Sequence, residues 1–130
     1  MKKIIILILF INSLFSAELD WIHDYKKALE IAKQEHKDIY LFIGADKCRF
    51  CKKFKETTLA QKRVMDKIHK NFIPLYLSRD RDSVPDKFEK YGVPRHYFLN
   101  SNEKVYDEDV GYIAPATFLK FLDEISFYKD

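Results

Sequence analysis

Little in this chain is built for repetition or looseness. Three glycines and four prolines in 130 residues leave scant room for a linker or a low-complexity tract. No segment repeats another, and the length holds one domain at most. A glycine-rich phosphate loop, zinc-finger spacing and a basic–aromatic array are all absent, so nothing asks for nucleic acid. His23 and His36 share no helix face and stand at no metal spacing with other ligand types; they read as solvated surface residues. Only two cysteines are present, Cys48 and Cys51. Two thiols bind soft metals, but a third ligand is lacking and the Cys-x-x-x-Cys layout of a copper carrier is absent. No metal and no cofactor is expected.

Also missing is an apolar run of the roughly 20 residues that a bilayer span needs. The longest begins at Ile4 and ends at Ile11, after the basic start Met1-Lys2-Lys3. Asn12-Ser13-Leu14-Phe15-Ser16-Ala17 then closes on small residues. This is the three-part pattern of a secretory signal peptide, residues 1–17, with cleavage after Ala17. An uncleaved anchor, extended by Leu14 and Phe15, is the alternative; a lipoprotein is excluded, since no cysteine follows Ala17. Cleavage predicts a periplasmic domain, residues 18–130, with no stable membrane insertion. Losing Lys2 and Lys3 takes the formal charge from +3 to about +1, so part of the basicity belongs to targeting. What remains is mixed, Lys-rich around the cysteines and acidic from Tyr106 to Asp109.

What is present is apolar and aromatic: 11 Phe and 8 Tyr within 47% hydrophobic residues suffice for a core. Trp21, Tyr25, Ala28 or Leu29 and Ala32 recur at helical spacing, predicting a helix from about Trp21 to Glu35 with Asp20 as its cap. Ile39 to Ile43 is continuously apolar and predicts a central strand covered on both faces. Lys52 to Lys70 reads as a helix that Thr57-Thr58 kinks or interrupts. Phe72 to Leu77 reads as a strand, with Pro74 near its start or on an edge. Val84 to Tyr91 fits a short helix with Phe88 and Tyr91 inward and Gly92 ending it. A strand over Val93 to Asn100, a turn at Ser101-Asn102-Glu103 and a returning Lys104-Val105-Tyr106 make a hairpin. A last helix has Pro115 in its first turn and Phe118, Leu119, Leu122 and Ile125 inward, and residues 127–130 are expected to fray. The order implies an α/β architecture, a central mixed sheet with helices on both faces.

The chemistry concentrates in Asp46-Lys47-Cys48-Arg49-Phe50-Cys51-Lys52-Lys53. Two thiols three apart, the first at a strand-to-helix junction, are the layout of a dithiol/disulfide redox centre. Unpaired N–H groups of the first helical turn favour a Cys48 thiolate and lower its pKa, and Arg49, Lys47 and Lys52 push the same way. Cys51 lies one turn on, within disulfide reach and more buried. A staple across two intervening residues stabilises little, so the pair is read as used rather than as structural. Phe50 offers an apolar contact. For Lys52, Lys53 and Lys55 a wet helix face is an equal reading. Pro94, just after a glycine in a strand-like run, is either cis or a trans proline at the strand's first residue.

The chain after residue 17 resembles the thioredoxin superfamily, nearest to small exported bacterial thioredoxin-like proteins related to the soluble domains of thiol:disulfide interchange proteins. Three stretches carry the resemblance: the strand Ile39 to Ile43 with Gly44 to Lys52, Tyr91-Gly92-Val93-Pro94, and Val110-Gly111-Tyr112 before the last helix. The resemblance implies a thioredoxin-like fold, an attacking Cys48, a resolving Cys51, and a cis Pro94 in a substrate groove flanked by Val93 and Arg95. Lys47 stands where thioredoxin has tryptophan, Arg49-Phe50 where it has Gly-Pro, and Phe42 where it has a buried aspartate that assists proton transfer. Glu56 and Asp46 read as solvent-facing, leaving Cys51 no obvious base. His96 faces either the site or the sheet edge.

The expected function is thiol–disulfide exchange on cysteines of exported proteins. A reductase or general interchange role is favoured, fed by a membrane electron-transfer partner. The rivals are a thiol oxidase or disulfide isomerase, and a non-catalytic binding module with an inert disulfide.

Overall fold

The computed structural model describes residues 19–127. The expected signal peptide and residues 128–130 lie outside the described residues. Among the described residues no helix is long and apolar enough to cross a membrane. The element order is α1 (Tyr25–Glu35), β1 (Asp38–Gly44), α2 (Arg49–Thr57), α3 (Lys62–Asn71), β2 (Phe72–Ser78), β3 (Arg95–Leu99), β4 (Val105–Val110) and α4 (Pro115–Phe127).

The strands lie in the order β2-β1-β3-β4, with β1 parallel to β2 and antiparallel to β3, and β3 antiparallel to β4. A parallel β1–β2 pair needs a long crossover, which α2 and α3 supply; a short turn suffices for β3 and β4. Strand β1 is internal, and Ile39 to Ile43 are wholly buried. Its side chains alternate between two cores. Tyr40 and Phe42 join Phe54, Val64, Ile68, Phe98, Phe118, Leu122 and Ile125 on the face covered by α2, α3 and α4. Ile39, Leu41 and Ile43 join Ala28, Ala32, Leu75, Leu77, Val84, Phe88 and Tyr97 on the face covered by α1 and the loop before β3. The expected α/β fold with a mixed sheet between helices is the one observed.

Several elements differ from expectation. Helix α1 starts at Tyr25, four residues late, and its cap is Asp24, whose Oδ1 accepts from the Lys27 N–H at 2.8 Å, not Asp20. The cause is that residues 21–23 do other work. Ile22 bridges to Leu75, its N–H bonded to the Pro74 carbonyl and its carbonyl to the Tyr76 N–H, both at 2.9 Å. Trp21 therefore packs on Tyr40, Phe42 and Tyr76, in the core opposite to the one that α1 covers. The same bonds explain Pro74. The Tyr76 N–H points outward to Ile22, so the Pro74 nitrogen two residues earlier also points outward, and its missing proton costs the β1 ladder nothing.

The helical run after the cysteines is two helices. Thr58 caps α2, and its buried hydroxyl donates to the Ile113 carbonyl at 2.6 Å, anchoring the break. No helix forms over residues 84–91. A single turn closes from the Phe88 N–H to the Pro85 carbonyl, which is enough to seat Phe88 against Tyr25 and Tyr97. So short a segment has little to offset helix nucleation. Tyr91, expected inward, is 64% exposed. Strand β4 runs past Tyr106 through Asp107-Glu108-Asp109 to Val110, an edge strand whose charges face water. Helix α4 begins at Pro115, buries Phe118, Leu122 and Ile125 with Leu119 half-buried, and still includes Phe127.

Candidate active site

The C-terminal ends of β1 and β2 and the start of β3 meet at one edge of the sheet. Cys48 leaves β1 by way of Ala45-Asp46-Lys47 and becomes the N-cap of α2 in an extended conformation. It is joined to Cys51 in a disulfide with Cα atoms 5.2 Å apart. The Cys51 N–H points at the Cys48 sulfur from 3.1 Å, as a side-chain cap accepts at a helix start. The orphan donors of the first turn thus converge on the atom that carries negative charge when the bond opens. Cys48 is half-buried, whereas Cys51 is only 2% exposed. Of the two sulfurs, only that of Cys48 lies within reach of an incoming thiolate or disulfide.

The Val93 carbonyl oxygen lies 3.8 Å from the Cys48 sulfur, and the Val93–Pro94 peptide is cis, the alternative that the resemblance implied. Pro94 is buried and Val93 half-buried. The Pro94 carbonyl accepts from the Gly111 N–H at 2.7 Å, joining the third expected stretch to the site. Arg95 does not point away from the protein: its Nε donates to the Tyr91 carbonyl, folding the side chain back over Gly92. Phe50 projects from between the cysteines at 54% exposure. Lys47, Arg49 and Lys52 are all exposed, Lys52 in a loose pair with Glu56 at 3.9 Å. Lys53 sits 4.4 Å over the Tyr112 ring, and Lys55 4.0 Å over that of Tyr76. Burial of the Lys55 amine lowers its pKa; Arg81 adds to this and Asp46 opposes it.

Beneath the disulfide Phe42 is flanked across the sheet by Tyr76 and His96, and the Phe54 ring packs edge-on to it at 5.4 Å. Asp46 and Glu56 are exposed as expected, Asp46 held by the Arg81 guanidinium at 2.8 Å. Of its two alternatives, His96 takes the one toward the site and not the sheet edge, packing on Phe42 and Phe54 in the core that also holds Cys51. It is wholly buried, stacked on Phe42 and edge-on to Phe54 at 4.7 Å. Its Nε2 lies 2.9 Å from the Gly111 carbonyl, which can only accept, so Nε2 carries the proton. Nδ1 of the neutral ring then accepts from the Tyr40 hydroxyl at 2.7 Å. Burial outweighs the Gly111 bond and the Asp109 charge and lowers the His96 pKa to about 4. The sequence reading missed this pair. Its signal was a tyrosine inside an unbroken apolar run, because a buried hydroxyl requires a partner.

Residues 25–126 match the family described as a thioredoxin-like domain. An uncharacterized protein of Archaeoglobus fulgidus is 31% identical over 84 residues, which are 63% of this chain. The chain spans 66% of that relative's length, just under two thirds. Among solved structures, a thioredoxin from Thermus thermophilus superposes with a TM-score of 0.69 at 19% identity, over 84% of this chain and 88% of that one. The oxidised C-terminal domain of DsbD from Neisseria meningitidis gives 0.65 at 20% identity, over 80% and 97%. At these identities the likeness to the solved structures is one of fold.

Proposed function

The chain belongs to the thioredoxin-like domain family, and we propose that it is a thiol–disulfide oxidoreductase whose reacting pair is Cys48–Cys51. One observation carries this reading: the reachable Cys48 sulfur caps a helix N-terminus and abuts Val93–Pro94, while its partner sulfur is sealed behind it. In the reduced protein the Cys48 thiolate attacks a substrate disulfide and releases one substrate thiolate. The Cys51 thiolate then attacks the Cys48 sulfur, releasing the second substrate thiolate and closing the Cys48–Cys51 bond. Two electrons pass from the protein to the substrate; run backwards, the same steps oxidise a dithiol. Val93 supplies backbone hydrogen-bonding groups to an extended substrate segment, Pro94 forms the floor beside the sulfur, and Phe50 and Arg95 border it. Lys47, Arg49 and Lys52 favour the thiolate by charge.

The working direction is reduction or general interchange on cysteines of exported proteins. The signal-like residues 1–17 support a periplasmic location. There a reductase needs a donor of electrons, and a membrane protein that passes reducing equivalents is the partner such a compartment requires. The basic side chains favour the opposite, oxidising direction, because a stabilised Cys48 thiolate stabilises the reduced form. The equilibrium potential against glutathione decides between them. A value near about −270 mV supports the reductase and one near about −120 mV replaces it with an oxidant. A pair that does not exchange at all leaves a binding module with an inert disulfide.

A further inference from the structure

At the active-site edge the strands succeed one another as β2, β1, β3, β4. Arg79, one residue after β2, and Lys47, after β1, therefore stand on one side of Pro94; Asp109 and Val110, at the end of β4, stand on the other. Charge changes sign across the site. On the β2 side the nearby carboxylates stay charged, Asp46 and Asp80 exposed, but each is already engaged. Asp46 holds Arg81 and accepts from the Ser78 hydroxyl, Asp80 accepts from the Asp46 N–H, and Asp82 accepts from the Ser78 N–H. Glu89 is likewise taken by the Tyr91 N–H at 2.9 Å. Among the described residues no carboxylate pairs with Lys47, Arg49 or Arg79. Two large exposed rings share this side: Phe50, and Tyr91, with the Arg79 guanidinium 5.5 Å from its centroid. A shallow cavity of about 260 Å³, lined by Ala45, Asp46, Lys47, Arg79 and Asp80, lies beyond the paired ends of β1 and β2. Exposed rings beside Lys47, Arg49, Arg79 and Arg81, which outnumber Asp46, Asp80 and Asp82, make a surface for a segment that is both apolar and acidic.

We propose that the surface formed by Lys47, Arg49, Phe50, Arg79 and Tyr91 docks acidic polypeptide segments next to the reacting cysteine, so that the substrates are disulfides flanked on one side by Asp or Glu. This rests on the exchange reading above and narrows its substrate class. The β4 carboxylates repel the same charge beyond Pro94, which confines the acidic flank to one side of the cysteine and fixes the direction in which a substrate lies.

The test uses the reduced protein and short peptides whose single cysteine is held in a mixed disulfide with 2-mercaptoethanol, an uncharged cap. Exchange forms a bond from Cys48 to the peptide sulfur and expels the mercaptoethanol thiolate; Cys51 then releases the peptide. The peptides carry two acidic or two basic residues, either before or after the cysteine. At ionic strength of about 0.01 M, acidic peptides of one placement are expected to react on the order of tenfold faster than their basic counterparts, converging at about 1 M salt. The Lys47→Glu/Arg79→Glu variant is expected to invert that ratio, whatever it does to the absolute rates. Equal rates for acidic and basic peptides in both placements overturn the proposal, as does a preference that survives high salt or the double variant. Bis(2-hydroxyethyl) disulfide, neutral and small, separates the two readings. If it exchanges while no charge preference appears, only the docking surface fails; if it does not exchange, the oxidoreductase reading falls, and the docking proposal with it.

Discussion

Tyr40 gives its hydroxyl proton to Nδ1 of His96 across 2.7 Å, inside a core where neither group meets water. The two residues sit on adjacent strands, 56 positions apart in sequence. His96 in turn donates to Gly111, and Gly111 to Pro94, so one chain of bonds runs from the centre of the sheet to the wall of the site.

Tyr40→Phe leaves the His96 Nδ1 buried without a donor and is expected to lower stability by about 1–3 kcal/mol. His96→Phe orphans the Tyr40 hydroxyl and the Gly111 carbonyl together. Urea unfolding of both variants and of the double variant gives the coupling, expected at about 1 kcal/mol or more. Strictly additive losses would remove the energetic meaning of the pair.

Acid acts on the same histidine. Its folded pKa, about 4, is below the ordinary 6.5. Above pH 6.5 folded and unfolded chains both hold it neutral, and the full stability is present. Between 6.5 and about 4 only the unfolded chain takes up the proton, so stability falls with falling pH, by a total on the order of 3 kcal/mol. Below about 4 this contribution is flat. His96→Gln is expected to flatten the slope across that window; an unchanged slope in urea midpoints would assign the loss to other groups.

The roles proposed for the two cysteines predict different mutants. Cys48→Ser should abolish exchange, and Cys51→Ser should retain attack but stall as a mixed disulfide through Cys48, visible by mass spectrometry and released by dithiothreitol. Recovery of that adduct from Cys48→Ser instead would reverse the assignment.

Gly44 is the last residue of β1, and a Cβ there would stand 2.8 Å from the Tyr76 hydroxyl and 2.9 Å from its ring. The ring is hemmed in by Trp21, Phe42 and the Lys55 amine and has nowhere to swing. Gly44→Ala is expected to cost about 1–3 kcal/mol through overpacking, read from the thermal midpoint. A neutral result would mean that the Tyr76 ring yields.

The parts legible in the sequence were those fixed by local pattern. An apolar run such as Ile39 to Ile43 has one way to be buried on both sides, and the cysteine spacing after it leaves one end of the next helix for the chemistry. What was illegible depended on partners far along the chain. Trp21 sits in helical phase with Tyr25 and Ala28, yet edge pairing of Ile22 with β2 carries it to the other core. The expected return strand ends at Tyr106, yet β4 continues through Asp107-Glu108-Asp109, because an edge strand tolerates charges that a central one does not. Phe88 and Tyr91 mimic a helix face, but one turn already seats Phe88 and leaves Tyr91 outside. The Tyr40–His96 bond follows from the register of β1 on β3, which no local window contains.

The placement of Trp21 makes the chain its own optical instrument. It is the single tryptophan, and it belongs to the core that also holds Cys51 and Phe54, while the core beneath α1 has none. Indole emission therefore watches only the redox face of the sheet, and far-ultraviolet dichroism averages both. Superimposable melting curves from the two signals would mean that the faces rise and fall together. An earlier fluorescence transition would mean that the half bearing the cysteines loosens while α1 still holds.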